Sequence, residues 1–255
     1  MSICVWFKKD LRINDHEPLL TASSKGTVIP LYIIEPEIIY SDQFSSLHWN
    51  FIRQSLVELN QKLTLLGQPL IIKKGEAVEV LQNLQKEISF DCIYSHEETG
   101  NAITFRRDKR VRGWANNQNI LWKEFTQNGV VRGLHNRDGW SRIWEERMKR
   151  DILPAPNRLK KISPSLRSLI LPNCEDLGII NQKNRPDLVG GESKAMDILD
   201  SFISHRGLKY YKEMSSPNSA YESCSRISPY LTNGCISMKQ IVNTVKDGDK
   251  NKILK

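Results

Sequence analysis

Long apolar runs are missing from this 255-residue chain. No stretch reaches the roughly 18 apolar residues that a membrane-spanning helix needs, so no membrane span or membrane partner is expected. Cysteine is sparse: Cys4, Cys92, Cys174, Cys224 and Cys235 are scattered, odd in number and form no C-x-x-C pair. That distribution argues against both a disulfide scaffold and a zinc site, and the thiols are expected to be reduced. The glycine-rich phosphate loops are absent as well. No G-x-G-x-x-G follows a predicted strand and no G-x-x-x-x-G-K-S/T occurs, which removes the main support for a dinucleotide fingerprint or a P-loop. The opening "MSICVWFKKDLR" puts its apolar run before its charges, the reverse of a secretory signal, and a cytoplasmic location is the expectation.

What is present describes an ordinary globular protein, with 39% hydrophobic and 26% charged residues. The net charge of +8 is unevenly spread. Residues 1–100 carry nine Lys and Arg against thirteen Asp and Glu; residues 101–170 carry sixteen against six. A basic segment of this kind either draws phosphate-rich partners by counterion release or forms a solvated face.

Short β-rich runs alternate with helical patterns through the first half. Strands are predicted at 3–7, 27–35, 69–74, 91–95 and 120–125, with Pro30 blurring the second. A helix is predicted to start at an Asp15 cap. Ile52, Leu56, Leu59, Leu63 and Leu66 form one apolar stripe that Gly67 stops. The β-α-β-α alternation predicts an α/β fold, a doubly wound parallel sheet with helices on both faces. From about Leu153 a proline-rich connection follows, and after Gly190-Gly191 helical patterning returns, with Ser237 as the cap of a last helix reaching Val245. The polar end, 246–255, is expected to fray. Three parts are expected: 1–133, a Rossmann-like α/β domain; 134–189, a basic helical segment and linker; and 190–255, the first helices of an incomplete all-α domain too short to bury a core alone.

Four constellations could carry chemistry. "WFKKDLRINDHEPL" (6–19) follows the first strand, where open parallel sheets bind ligands, and Asp10 could pair with Arg12 there. A surface loop laced with salt bridges is the favoured reading. In "SHEETGNAITFRRD" (95–108), Asn101 can cap a helix, donate its amide to a heterocycle, or do both. Trp140 and Trp144 share a helical face among Arg137, Arg142 and Arg147, and packing beneath the arginine stems is favoured over base stacking. Finally, "SCSRISPYL" (223–231) surrounds Arg226 with small hydroxyls, a composition suited to cradling a phosphate.

Taken together, "VWFKKDLRINDHEPL", "GGESKAMDILDSFISHRGLKYYKEMSSP", "CSRISPYL" and "GCISMKQI" resemble, in order, signature stretches of the DNA photolyase/cryptochrome family. The resemblance implies an FAD-dependent flavoprotein related to light-driven repair of pyrimidine dimers in DNA. It implies that Tyr210, Cys224, Ser225, Arg226, Ile227 and Ser228 belong to the wall around the FAD phosphates. Asn101 matches a residue that contacts an antenna chromophore, which in this family is a folate, a deazaflavin or a flavin. The chain departs from the pattern at Cys224, where many members have threonine, and at Ala102, where an acidic residue is usual. None of its six tryptophans matches the electron relay. Family members continue well past residue 255, so a truncated amino-terminal half is expected, not active in repair by itself, with a separately encoded carboxy-terminal half as a possible partner. The alternative is a non-enzymatic module that binds a chromophore or nucleic acid.

Overall fold

The computed structural model describes residues 1–162, 166–180, 185 and 187–250. Five parallel strands form one sheet: β1 (Ser2–Phe7), β2 (Thr27–Ile34), β3 (Ile71–Lys74), β4 (Cys92–His96) and β5 (Leu121–Phe125), in the order β3-β2-β1-β4-β5. The chain first winds outward from β1 to β3, then crosses back and continues on the other side. The switch point, where such sheets open a crevice, therefore lies between β1 and β4. Pro30 is accommodated in β2 because it faces Val5 of β1, while the ladder to β3 begins only at Leu31.

Both faces of the sheet are covered, which is why the central strands read as continuous apolar runs. On one face Cys4, Trp6, Ile29 and Ile93 pack against α4 (Ala77–Glu87) and α5 (Ala102–Asn117). On the other, Ile3, Val5 and Phe7 meet α1 (Glu17–Lys25) and α3 (Ser46–Leu65), whose buried Leu56, Leu59 and Leu63 carry the predicted stripe. A short helix, α2 (Pro36–Ile39), follows β2. Helix α3 starts six residues before the stripe, its first turn held by the Ser45 N–H donating to His48 Nδ1 at 3.1 Å. Gly67 ends it at φ +111, where a Cβ would stand 2.7 Å from the Leu159 carbonyl oxygen.

After α6 (Trp140–Met148), the described part of 153–189 forms no helix or strand. It runs along the sheet's β3 edge, with the Leu169 N–H donating to Ile72 O at 2.9 Å and the Ile72 N–H to Ser168 Oγ at 2.9 Å. An edge covered in this way cannot template pairing with another chain. Then come α7 (Glu192–Ser204), a 3-10 turn at Arg206–Lys209, α8 (Tyr210–Glu213), α9 (Ala220–Ser223), α10 (Ser228–Thr232) and α11 (Met238–Lys250). These helices lean on the sheet's α3 side. Ala195, Leu199, Ile203, Ile227, Tyr230, Cys235 and Ile236 belong to the same apolar cluster as Val5, Phe7, Trp49 and Phe51.

Several sequence-based expectations change. Asp15 is not a helix cap. It has φ 51, and its carboxylate accepts from the Leu153 N–H (3.1 Å), Ser237 Oγ (2.5 Å) and Lys239 Nζ (2.7 Å), while His16 caps α1 by accepting the Leu19 N–H at 3.1 Å. The 8–16 segment is no surface loop: Asp10, Leu11, Arg12, Asp15 and His16 are buried. Trp140 and Trp144 tilt against each other at 6.5 Å and pack on the loop after β5, with Trp140 Nε1 donating to Gly129 O at 2.9 Å and Arg147 donating to Asn128 O and Val130 O of the same loop. Ser237 does cap the last helix, its hydroxyl accepting the Gln240 N–H at 3.0 Å and Gln240 Oε1 accepting the Ser237 N–H at 2.8 Å. That helix runs five residues past Val245, to Lys250; residues 251–255 lie outside the described residues.

Candidate functional site

The switch point is filled by side chains. Asp10, just past β1, accepts from His16 Nε2 at 3.0 Å and from His96 Nδ1, at the end of β4, at 2.8 Å. The Lys8 N–H occupies its other oxygen at 2.6 Å. Burial alone would raise the Asp10 pKa; the adjoining imidazoles outweigh it and hold the carboxylate well below its ordinary range. Burial and the neighbouring His16 push His96 down to about 3. The expected Asp10–Arg12 pair does not form, because Arg12 is committed elsewhere, donating to the carbonyls of Asn14, Asp15 and Gly234 at 2.9–3.1 Å. The 233–234 turn closes the crevice from the helical side, with Asn233 O accepting the Leu11 N–H at 3.1 Å. Gly234 has φ +63, and a Cβ there would stand 2.1 Å from Lys9 O.

Asp10, His16 and His96 have the donor types of a metal site. The tautomers oppose it. His16 Nδ1 accepts the Leu19 N–H, so its proton sits on Nε2 and points at Asp10; a cation on Nε2 would have to displace that proton and leave an imidazolate. The trio is a satisfied, proton-holding junction between β1, α1 and β4.

Beside it, at the carboxyl ends of β1 and β2, a cleft of about 220 Å³ opens between Tyr32, Glu35, Phe44, His48, Trp49 and Asn101. Burial raises Glu35 to about 7 even though Arg107 binds it, and Arg107 also holds Glu98. Lys8 Nζ is buried without a hydrogen-bond partner, 3.9 Å from Glu98 and 3.8 Å from Asp108, and faces the rings of Trp6 and Trp122 at 5.1 and 5.5 Å. Asn101 sits on the cleft's rim and caps α5, accepting the Ile103 and Thr104 N–H groups at 3.1 and 3.2 Å, and its amide donates to Gln43 at 2.7 Å. Its cap role is met; one amide hydrogen remains for a ligand.

The 224–228 turn lies elsewhere, between α9 and α10. Arg226 adopts φ 55 and is followed by Ile227 at φ −85, a left-handed residue before a right-handed one. Successive residues of opposite hand turn backbone N–H groups toward a common point, the nest geometry that suits anions. Among the described residues, the N–H groups of Ser225, Arg226, Ile227 and Ser228 donate to no acceptor. The turn is braced from behind by Arg206, whose guanidinium donates to the carbonyls of Cys224, Ser225 (3.3 Å) and Ile198 (2.7 Å). Ile227 is buried in the core and anchors the turn; Ser228 is exposed. The Arg226 side chain is folded back over the Tyr221 ring at 3.8 Å and bonded to Glu222 at 3.0 Å, so it does not reach into the nest. Tyr210 opens α8, its ring edge-on to Phe202 at 5.8 Å and more than a third exposed. Helices α8 and α9 touch, which puts Tyr210 and the turn in one stretch of structure.

Sequence reasoning missed Arg206, whose role depends on carbonyls nearly twenty residues away, and His96, although a histidine ending a predicted strand beside the switch point was a usable signal. It also missed Glu192, which accepts from the Ile13 and Asn14 N–H groups, Asn14 Nδ2 and Lys62 at 2.9–3.2 Å and so ties α7 to the loop after β1.

A doubly wound parallel sheet with a cleft beyond its carboxyl ends and helices appended to one side defines a Rossmann-like α/β protein. A family model for DNA photolyase matches residues 3–134. The chain belongs to the DNA photolyase family, which includes the cryptochromes. It is 28% identical to cryptochrome DASH of Synechocystis sp. PCC 6803, over 99% of this chain and 56% of that protein. In fold it is similar to the crystal structure of the Synechocystis cryptochrome, with a TM-score of 0.82 and 23% identity, covering 100% of this chain and 57% of that one. It is also similar to an archaeal photolyase from Sulfolobus tokodaii solved with two FAD molecules, with a TM-score of 0.74 and 24% identity, covering 99% and 56%. The chain spans about half the length of the curated relatives it matches. Among the described residues, no helix is long and apolar enough to cross a membrane.

Proposed function

We propose that this chain supplies the α/β unit and one wall of the flavin site of a photolyase/cryptochrome-type flavoprotein, related to the light-driven repair of pyrimidine dimers in DNA. The observation that carries this reading is the run of four unpartnered N–H groups at Ser225–Ser228, braced by Arg206 next to Tyr210. A diphosphate is the ligand that such a run accommodates, and FAD is the diphosphate cofactor named for one of the similar structures. When bound, FAD supplies light-driven electron transfer. The chain's own residues bind and orient: the nest takes phosphate oxygens, Ser225 and Ser228 add hydroxyls, and Tyr210 offers its phenol. Cys224 brings a thiol where many family members offer a hydroxyl, a weaker donor. The cleft at Asn101 is the place for an antenna chromophore, its apolar walls taking a ring and its buried carboxyls an N–H edge.

One wall buries little of a ligand, so affinity in the isolated chain is low and repair needs further protein. Leu208, Tyr211 and Met214 are largely exposed beside Tyr210, which favours a partner with the remaining helices, a separately encoded carboxy-terminal half, as the second reading. The test is an FAD titration read by flavin fluorescence anisotropy, with the chain alone and with the carboxy-terminal half of a relative added. Weak saturable binding that tightens at least tenfold with the added half supports the proposal; no saturable binding in either case refutes it.

A further inference from the structure

His96 uses one ring nitrogen, Nδ1, in its bond to Asp10. With the Nδ1 proton directed at that carboxylate, Nε2 carries a lone pair. Burial and the neighbouring His16 keep the ring neutral at ordinary pH. Among the described residues nothing bonds to Nε2, and although His96 is only 2% exposed, this atom is not sealed from solvent as Lys8 Nζ is. The ring borders a cavity of about 50 Å³ at the seam where the end of β4 meets α6 and α11. Nε2 is therefore a buried acceptor open to this cavity, and what it requires there is a hydrogen-bond donor.

The rest of the wall is cationic: Arg12, Arg147, Arg150 and Lys239 stand against Asp15 and Glu17. Arg12 is held by backbone carbonyls, and Lys239 by Asp15 and, at 2.7 Å, by Asp151 O. The two arginines at the end of α6 keep donors to spare. Arg147 gives Nη1 to Asn128 O and Val130 O, and its Nε and Nη2 have no partner among the described residues. Arg150 has no side-chain hydrogen bond or ion pair there at all. Four cations facing two carboxylates favour an anion and repel a metal ion from Nε2. The volume has room for roughly three to five waters, enough for one small oxyanion and too little for a nucleotide. The lone pair on Nε2 adds a condition, because the anion must bring a proton. Sulfate and phosphodiesters carry none at neutral pH, whereas both neutral-pH forms of free phosphate do.

We propose that this seam cavity binds free phosphate, the ion's O–H donating to His96 Nε2 and its charged oxygens accepting from Arg147 and Arg150. The site shares no residue with the 224–228 nest or the Asn101 cleft, and it stands independently of the flavin reading. A nucleic-acid backbone does not meet its requirement, since a diester has no proton to give. Because the ion would join the end of β4 to the end of α6, it stabilises the folded seam by mass action.

The test is NMR of the full chain, labelled with nitrogen-15 in its histidine rings and backbone, titrated with sodium phosphate at neutral pH and constant ionic strength. The His96 Nε2 resonance is expected to move saturably, because a donated hydrogen bond changes the shielding of that nitrogen. Sulfate and dimethyl phosphate are expected to bind about tenfold more weakly or worse, since either leaves Nε2 unpaired against an anion. Arg150→Gln removes an exposed cation that braces nothing else, so the fold is kept, as a thermal melt checks, and phosphate affinity is expected to fall about tenfold. The amides of 225–228 report the nest in the same spectra, so failure of this site is distinguishable from failure of the flavin site. The proposal is overturned if the His96 ring nitrogens stay fixed up to about 100 mM phosphate. It is equally overturned if sulfate or dimethyl phosphate moves them as strongly, or if Arg150→Gln leaves the phosphate affinity unchanged.

Discussion

The α/β part and the helices after Gly190 handle buried charge in different ways. In the first, ionisable groups are buried in closed sets: Asp10 with two histidines, Arg107 with Glu35, Glu98 and Asp108, Arg12 with three carbonyls. Apart from Lys8 Nζ, which lies by Glu98 and Asp108 with no hydrogen bond, these sets are closed inside their own part or at its seam, so this half specifies its own geometry. The second half has small ion pairs, and exposes Leu208 (64%), Tyr211 (91%) and Met214 (49%) close together in sequence beside Tyr210. It holds its shape by leaning on the first through Glu192, Tyr230 and the 233–234 turn. The functional groups follow the same division. The first half holds the cleft at the carboxyl ends of β1 and β2, and the second carries the unpartnered N–H groups of Ser225–Ser228.

The sharpest way to break this comparison is to cut the seam. Glu192→Ala leaves the Ile13 and Asn14 N–H groups and Lys62 without their shared acceptor, and removing one member of a buried charged set costs about 3–5 kcal/mol. Urea unfolding is expected to show the helical half melting in a separate, earlier transition, and a single transition at unchanged midpoint would contradict the dependence described here.

Acid comes next, acting on the first half. The His96 pKa is lowered from its ordinary 6.5 to about 3, so the unfolded chain takes up that proton first as pH falls. Stability is full above pH 6.5 and declines toward pH 3 by up to about 1.4 kcal/mol per unit. Asp10, held low, adds a further loss below about pH 4. His96→Gln is expected to flatten the upper window when stability is measured by denaturant titration at a series of pH values, and an unaltered slope would remove His96 from the account.

Smaller effects sharpen the other half. Arg206→Ala frees the carbonyls of Cys224 and Ser225, and FAD affinity is expected to fall about tenfold, roughly 1.4 kcal/mol, with little change in melting temperature. Ser237→Ala removes the cap of α11 and a bond to Asp15, with an expected cost of about 1 kcal/mol by thermal melting.

How much of this was readable from the sequence follows the same line. The α3 stripe, the parallel alternation and the Ser237 cap depend on neighbours within a few residues and were legible. Pro30 blurred a strand only because the start of β3 beside it could not be known. Asp10 was read as able to pair with Arg12, two residues away, whereas its partners are His16, six residues on, and His96, 86 residues distant, and Arg12 reaches Gly234, 222 residues on. Long-range polar partners leave no periodic trace. The 223–231 stretch stood out by composition, but sequence alone did not show that its 225–228 N–H groups are left without acceptors while the Arg226 guanidinium is bonded to Tyr221 O and Glu222.

That detail carries the account, and amide NMR reads it directly. On titrating the nitrogen-15-labelled chain with FAD, and separately with ADP, the N–H resonances of Ser225, Arg226, Ile227 and Ser228 are expected to shift together, in the same direction for both ligands, because both present a diphosphate. If those four resonances stay fixed while others move, or if FAD shifts them and ADP does not, the turn is not a diphosphate cradle.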